Sequence, residues 1–110
     1  MRITSVKIRN KSDEDPRFKG VAAVYIDNCF VIHNIRIING ENGLYLQFPN
    51  KPTSKGGFRD LANPTNSECR AWFTKVVLKA YEEAPYANEI EEDEDKTFTY
   101  IPEKDEEFTS

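Results

Sequence analysis

The stretch Phe30–Pro49, FVIHNIRIINGENGLYLQFP, decides the fold of this chain, because it has the pattern of two β-strands folded back on each other. Successive side chains of an extended chain point to opposite faces of a sheet. Apolar residues occupy both alternating sets of positions in the first strand, so this strand is expected to be apolar on both faces. One face receives Val31, His33, Ile35 and Ile37, and the other Phe30, Ile32, Asn34, Arg36 and Ile38. Such a strand is typical of the middle of a sheet, where a helix or a second subunit covers the face that solvent would otherwise reach.

The same alternation predicts the other strands, and two short turns connect them. Asp27-Asn28 offers a tight turn into Phe30, so the second and third strands are expected to pair antiparallel. After the third strand the chain reverses at residues that tolerate positive φ, namely Asn39, Gly40, Asn42 and Gly43. The predicted fold is α+β, with a small antiparallel sheet of four to five strands at about residues 2–9, 20–27, 30–38, 44–48 and 58–61.

One main helix is predicted over about residues 66–84, where apolar positions recur at intervals of three and four. These positions are Cys69, Phe73, Val76, Val77, Ala80 and Tyr81. Thr65 and Glu68 have the spacing of a capping box. Asn66 or Ser67 is an equally good N-cap, and Pro85 ends the helix.

Two clusters of basic residues are present, one in the segment before this helix and one on the helix itself. Residues 49–57 contain two prolines and two adjacent glycines, which predict an exposed, mobile loop without regular structure. Lys51, Lys55 and Arg59 surround this loop, and Arg70, Lys75 and Lys79 lie on the helix. Basic side chains on a helix beside a flexible basic loop can contact phosphates without reading any base. Ordinary solvated charges are the competing interpretation.

The net charge of −4 divides unequally along the chain. Residues 87–110 hold ten acids and two lysines, whereas residues 1–86 hold thirteen basic and nine acidic side chains. We therefore predict a mildly basic domain over 1–86 and an acidic, disordered tail over 87–110, in which Thr97–Ile101 can dock as a strand in some contexts. This asymmetry fits either a nucleic-acid binder whose tail competes for the basic surface or a plain solubilising tail.

Groups with reactive chemistry are scarce in this sequence. His33 falls in a predicted central strand, which favours a buried, hydrogen-bonded role over catalysis. Cys29 and Cys69 lack the paired spacing of a metal site and, in a chain without an apolar leader, are expected to be reduced core thiols of a cytoplasmic protein. No phosphate-binding glycine loop or membrane-length apolar run is present, and Glu91–Asp95 has no calcium-loop register. We expect no enzyme activity, cofactor, metal, small-molecule substrate or membrane association.

A long ordered string of motifs runs through the chain: Phe30–Gly40, Asn42–Tyr45, Pro49, Lys51, Thr53, Gly56, Phe58–Asp60 and Asn63–Ser67. This string resembles the SpoVG family of bacterial septation and sporulation regulators, and the resemblance covers about residues 1–81. It implies a small α+β homodimer that binds DNA, and in some members RNA, as a regulator of gene expression, cell division or sporulation.

Carried over onto matching positions, the family's nucleic-acid surface falls on the loop around Lys51 and Thr53 and on the helix around Arg70. The family loop usually reads lysine-arginine-threonine-proline, whereas Pro52 and Ser54 occupy its second and fourth places here. With the basic residues nearby, the candidate contact residues are Arg70, Lys51, Thr53, Lys55, Arg59, Lys75 and Lys79.

The alternative function is a protein-interaction module, in which an exposed strand edge or the surface around Trp72 meets another protein. Burial of Trp72 would indicate a dimer contact or a core role, whereas exposure would indicate an anchor for a partner. Two subunits are expected to pair through their sheets, with edge-strand addition as the favoured geometry.

Overall fold

The computed structural model describes residues 1–90, 96–103 and 107–109. They form a five-stranded antiparallel sheet, a separate two-stranded ribbon and one main helix, so the predicted α+β fold is confirmed. The acidic run Glu91–Asp95 lies outside the described residues. In chain order the elements are β1 Ile3–Arg9, β2 Phe18–Ile26, β3 Phe30–Gly40, β4 Gly43–Gln47, β5 Asn50–Pro52, β6 Phe58–Asp60, α1 Ser67–Glu83, a 3₁₀ turn Ala87–Glu89 and β7 Thr97–Tyr100.

The five strands of the sheet lie in the order β4-β3-β2-β1-β7, and each neighbouring pair is antiparallel. The first four strands agree with the prediction apart from small shifts of their ends. The expectation that residues 58–61 form an edge strand of this sheet is wrong, because β6 pairs with β5 in the separate ribbon. The fifth strand of the sheet is instead β7, which forms the edge beside β1, so Thr97–Tyr100 docks on β1 as the sequence allowed.

The hydrophobic core lies between one face of the sheet and α1. The helix contributes the apolar positions that its periodicity predicted, with the exception of Cys69, which is only half-buried. The buried helix residues are Phe73, Val76, Val77, Ala80 and Tyr81. They pack on buried sheet residues that include Ile3, Val6, Ile8, Ala22, Val24, Ile35, Ile37 and Leu46.

A β-bulge in β3 changes the predicted faces of this strand. Ala22 pairs with Ile35 and Val24 pairs with Ile32, so β3 has one residue more than β2 between these pairs. A bulge of this kind shifts the alternation of side chains by one position. Ile32 therefore packs against the same core as Ile35, and His33 is exposed. The prediction of a buried, hydrogen-bonded His33 is wrong for this reason.

A second bulge, at Thr4 in β1, has the same effect on Ile3. Ile3 pairs with Ile26 and Ser5 pairs with Tyr25, which leaves Thr4 as the additional residue. Ile3 is buried on the core face together with Val6, although regular alternation places these two residues on opposite faces. The Thr4 hydroxyl donates a hydrogen bond to the Tyr25 carbonyl.

The predicted tight turn between β2 and β3 is confirmed. Asp27 and Asn28 both have positive φ, at 51° and 54°, as a type I′ hairpin turn requires. The Cys29 amide closes the turn by donating to the Ile26 carbonyl at 3.1 Å. Both cysteines are free thiols, but Cys29 is exposed next to this turn, so its prediction as a core thiol is wrong.

Capping interactions define both ends of α1. Asn66 is the N-cap, and its side-chain oxygen accepts a hydrogen bond of 2.7 Å from the Cys69 amide. The helix ends at Glu83, two residues before Pro85, as predicted. A buried side chain from the loop between β1 and β2, Lys11, reaches this end and donates to two of its carbonyl oxygens.

The described part of the C-terminal segment also contacts the N-terminus. The Met1 carbonyl accepts a hydrogen bond from the Phe108 amide, and Arg2 forms an ion pair with Glu107 at 3.3 Å. The Phe108 ring packs against Trp72 of α1. In the part of the chain that the structure describes, no helix has the length and apolar character needed to cross a membrane.

Candidate nucleic-acid interface

The ribbon formed by β5 and β6 carries most of the predicted loop residues. Asn50 lies opposite Asp60, Lys51 opposite Arg59 and Pro52 opposite Phe58. The prediction that residues 49–57 lack regular structure is wrong, because backbone hydrogen bonds to the neighbouring strand overcome the unfavourable composition. The predicted exposure is confirmed for most of this segment, since only Pro49, Asn50 and Thr53 among residues 49–57 are half-buried and the others are exposed.

Thr53 organises the turn at the tip of the ribbon. Its amide donates to the Gly57 carbonyl at 2.8 Å, and its hydroxyl oxygen accepts from the Gly57 amide at 3.2 Å. Gly56 adopts φ of 92°, a conformation that L side chains rarely adopt. Thr53 therefore holds the shape of the tip, which presents the exposed side chain of Lys55.

Lys51 and Arg59 form a pair of positive charges on one face of the ribbon. Residues directly opposite each other in an antiparallel pair project to the same side, with Cβ atoms about 5 Å apart. Both side chains are exposed, and neither forms an ion pair with any residue in 1–90, 96–103 or 107–109. Like charges held this close repel each other, so an anion that binds between them is stabilised by both.

Arg70 lies beside the base of this ribbon. Its guanidinium carbon is 5.5 Å from the centre of the Phe48 ring, and Phe48 is buried against the helix residue Phe73. Arg70 is exposed, and its guanidinium is the part of the side chain that approaches the Phe48 ring. Lys51 follows Phe48 by three residues, which places their Cα atoms within about 11 Å. Arg70 therefore lies beside the segment that leads into the ribbon.

Lys75 and Lys79 lie on a different side of α1. At about 100° per residue, Lys79 is about 180° and Lys75 about 140° around the helix from Arg70. Both side chains are exposed. The seven predicted contact residues therefore divide into a ribbon group with Arg70 and a separate helix pair.

Trp72 is half-buried and packs at the border of the core. Its ring contacts Phe73 edge-on at 6.3 Å and Phe108 at 5.3 Å between ring centres. Its Nε1 atom is buried, and no described residue accepts a hydrogen bond from it. Because the C-terminal segment of the same chain covers this ring, Trp72 is not the exposed anchor that the alternative function requires.

Sequence reasoning did not identify a second set of cations on the sheet face opposite α1. Lys7 and Arg9 alternate with the buried residues of β1, and Arg36 projects to the same face from β3. The sequence contained a signal for this basic face, namely the lack of acidic residues in the predicted strands over residues 2–9, 20–27, 30–38 and 44–48. The one exception is Asp27, at the end of a strand. What the sequence did not reveal was the strand order that places these cations together.

Comparison with known proteins identifies the family. The family model of SpoVG matches residues 1–83, from the N-terminus to the last residue of α1. The septation protein SpoVG of Macrococcus caseolyticus is 46% identical over 83 residues, which are 76% of this chain and 71% of that protein. The protein of the same name from Caldicellulosiruptor saccharolyticus is 43% identical over 89 residues, covering 81% of this chain and 100% of that protein. The one from Phytoplasma australiense is 43% identical over 83 residues, covering 76% and 85%. This chain therefore belongs to the SpoVG family.

Proposed function

We propose that this protein is a dimeric, non-enzymatic regulator that binds double-stranded DNA through the ribbon and Arg70 and acts in septation or sporulation. The observation that carries the proposal is the pairing of Lys51 with Arg59 on an exposed ribbon whose base adjoins Arg70. Two positive side chains on the ribbon and a third beside the segment that leads into it suit phosphate groups, which determine affinity more than sequence preference. The names of the relatives, septation proteins, support the cellular role.

The dimer supplies the second half of this surface. A single ribbon offers few phosphate contacts, and two copies related by a two-fold axis double that number. The strand β4 forms one edge of the sheet, and four of its five residues are exposed. Pairing of two β4 edges is therefore the favoured geometry, and sedimentation at micromolar concentration is expected to show a dimer. A monomer under these conditions would contradict this part of the proposal.

Salt-dependent binding to a random-sequence duplex tests the contact residues. Lys51→Ala, Arg59→Ala and Arg70→Ala are each expected to weaken binding and to reduce the slope of log K against log salt by about 0.9 per lost phosphate contact. Lys75→Ala is the matched control, since it removes an exposed charge from the other side of α1. Unchanged slopes in all three variants, or an equal loss in the control, would contradict the assignment.

Exposed apolar side chains on the ribbon favour a second candidate function, protein interaction. Phe58 is 75% exposed and Leu61, just after β6, is 62% exposed. Apolar groups in such positions are typical of a surface that meets another protein. Phe58→Ser separates the two functions: it would abolish binding to a protein partner while leaving the salt slope of duplex binding unchanged, because it removes no charge.

A further inference from the structure

The face of the five-stranded sheet opposite α1, called here the open face, is basic and aromatic. None of the strands β1, β2, β3, β4 and β7 contains an aspartate or glutamate. The helix packs on the other face, so the long side chains of the open face border solvent. Basic and aromatic residues on the open face are Lys7, Arg9, Phe18, Tyr25, Arg36 and Tyr45, with Arg17 entering from the loop before β2.

The strand register brings two arginines into one row across the sheet. Arg9 lies opposite Val21 on β2, and Val21 lies opposite Arg36 on β3. With about 4.8 Å between strands, the two arginine backbones stand about 10 Å apart. Arg9 donates a hydrogen bond of 3.3 Å to the side-chain oxygen of Asn34 in the bulge of β3. The bulge thus orients one cation of this row.

A shallow groove lies next to this row, where Phe18, Ile38 and Tyr45 are neighbours across three strands. The Arg36 guanidinium carbon is 5.8 Å from the centre of the Phe18 ring. Arg17 donates a hydrogen bond of 3.1 Å to the Tyr45 hydroxyl, and Tyr45 is 40% exposed. Each aromatic ring of the groove therefore has a guanidinium beside it.

The same combination recurs between β1 and β2, where Lys7 Nζ lies 5.3 Å from the centre of the Tyr25 ring. One carboxylate, Asp15, lines the groove among the described residues. Its Oδ1 atom accepts hydrogen bonds from the backbone amides of Phe18 and Arg17, at 3.0 and 2.7 Å, and these amides lower its pKa. Asp15 thus holds the entry to β2 and forms no ion pair with a described residue.

We propose that the open face binds single-stranded nucleic acid. The basic side chains contact phosphates, and Phe18, Tyr25 and Tyr45 stack on unpaired bases, because an aromatic ring and a cation together match a base and its phosphate. Bases of a duplex are stacked on one another, so this face selects unpaired strands. The proposal shares with the proposed function only the class of ligand, since it uses residues of the sheet instead of the ribbon and Arg70.

A second copy of this chain is the competing occupant of the open face, and the charges argue against it. Two such faces packed together would bring the basic residues of both copies into contact with no strand carboxylate to neutralise them. Like charges opposed in this way disfavour the association of the two copies. Nucleic acid supplies the opposite charge and the flat apolar surfaces together.

Binding of the full chain to labelled single-stranded RNA, single-stranded DNA and duplex of the same mixed sequence, measured by anisotropy at two salt concentrations, tests the proposal. Arg36→Ala is expected to weaken single-strand binding about tenfold at low salt and to reduce the salt slope by about 0.7. Tyr45→Ala is expected to weaken it about tenfold without changing the slope, because it removes a stacking ring and no charge. Comparison of the RNA and DNA arms shows which strand is preferred.

Conservative variants and a control away from the open face guard against loss of folding. Arg36→Lys and Tyr45→Phe are expected to keep most of the single-strand affinity, and Lys75→Ala, on the exposed side of α1 across the sheet from the open face, is expected to bind as the unmodified chain does. Lys51→Ala and Arg70→Ala report on the ribbon site in the same assay. If they weaken duplex binding while Arg36→Ala and Tyr45→Ala leave single-strand binding unchanged, the open-face proposal is overturned and the proposed function stands. The reverse pattern overturns the proposed function. Conversion of a dimer to a monomer by Arg36→Ala, which lies on β3 and not on the β4 edge, with unchanged single-strand affinity assigns the face to a second copy and also overturns the proposal.

Discussion

Lys11 Nζ donates a hydrogen bond of 2.8 Å to the main-chain carbonyl oxygen of Tyr81, and the same ammonium lies 4.4 Å from the centre of the Tyr81 ring. A second hydrogen bond of 2.9 Å reaches the Ala84 carbonyl. The carbonyl groups at the end of a helix lack amide partners and carry partial negative charge. A lysine that is 7% exposed therefore caps α1 from a loop about seventy residues away in sequence.

Replacement of this lysine tests the cap. Lys11→Met keeps a long apolar stem but leaves the two carbonyls unsatisfied, and is expected to lower the free energy of unfolding by about 2–4 kcal/mol. Chemical denaturation measures this loss. Lys55→Met, at the exposed tip of the ribbon, is the control and is expected to change stability by less than about 0.5 kcal/mol. Equal stability of the two variants would show that Lys11 does not cap the helix.

Because of the bulge in β3, two residues that regular alternation places on one face are expected to contribute unequally to the free energy of unfolding. Ile35→Ala removes a fully buried side chain and is expected to cost about 2–5 kcal/mol. His33 is exposed in the bulge, and His33→Ala is expected to lower the free energy of unfolding by less than about 0.5 kcal/mol. Urea denaturation of both variants measures the difference. A large loss in the His33 variant would be inconsistent with the bulge.

The single tryptophan reports on the C-terminal segment. Phe108→Ala removes the ring that covers Trp72 and is expected to shift the emission of Trp72 to longer wavelength and to increase its quenching by iodide. The lost ring pair is worth about 0.5–1.5 kcal/mol. Phe30→Ala, which removes a ring that is 69% exposed, is the control and leaves the emission unchanged. Identical spectra for both variants would mean that Phe108 does not cover Trp72 in solution.

The lowered pKa of Asp15 implies that the stability of the fold depends on pH in the acid range. The amides of Phe18 and Arg17 hold the folded-state pKa of Asp15 below its ordinary value of 3.8. Its contribution is therefore present above this value and is lost as the pH falls through the folded-state pKa. Asp15→Asn removes the titrating group, so the difference in melting temperature between the unmodified chain and this variant is expected to shrink as the pH falls below about 4. Melting curves at a series of pH values measure it, and parallel profiles would refute the assignment. Glu41→Gln controls for removal of an exposed carboxylate from a turn.

The identity of the basic residues in the candidate site could be predicted from the sequence, but their arrangement could not. The basic character of Lys51, Arg59 and Arg70 and their proximity to the start of the helix followed from the sequence and from the family resemblance. The pairing of Lys51 with Arg59 did not, because prolines and glycines at residues 49–57 obscured a ribbon that backbone hydrogen bonds stabilise. The separation of Lys75 and Lys79 from Arg70 was implicit in the helix period, but its consequence required the position of the ribbon.

Sequence alone determined the features that depend on neighbouring residues. The apolar period and the capping residues at 65–67 defined the helix to within a residue or two, and Asp27-Asn28 defined a hairpin turn, because capping and positive φ are properties of a few adjacent residues. Tertiary structure decided the bulge that exposes His33, the docking of Thr97–Tyr100 on β1 and the cap provided by Lys11. Each of these depends on contacts with a partner elsewhere in the fold, and the partner's position is set by how the whole sheet and helix pack.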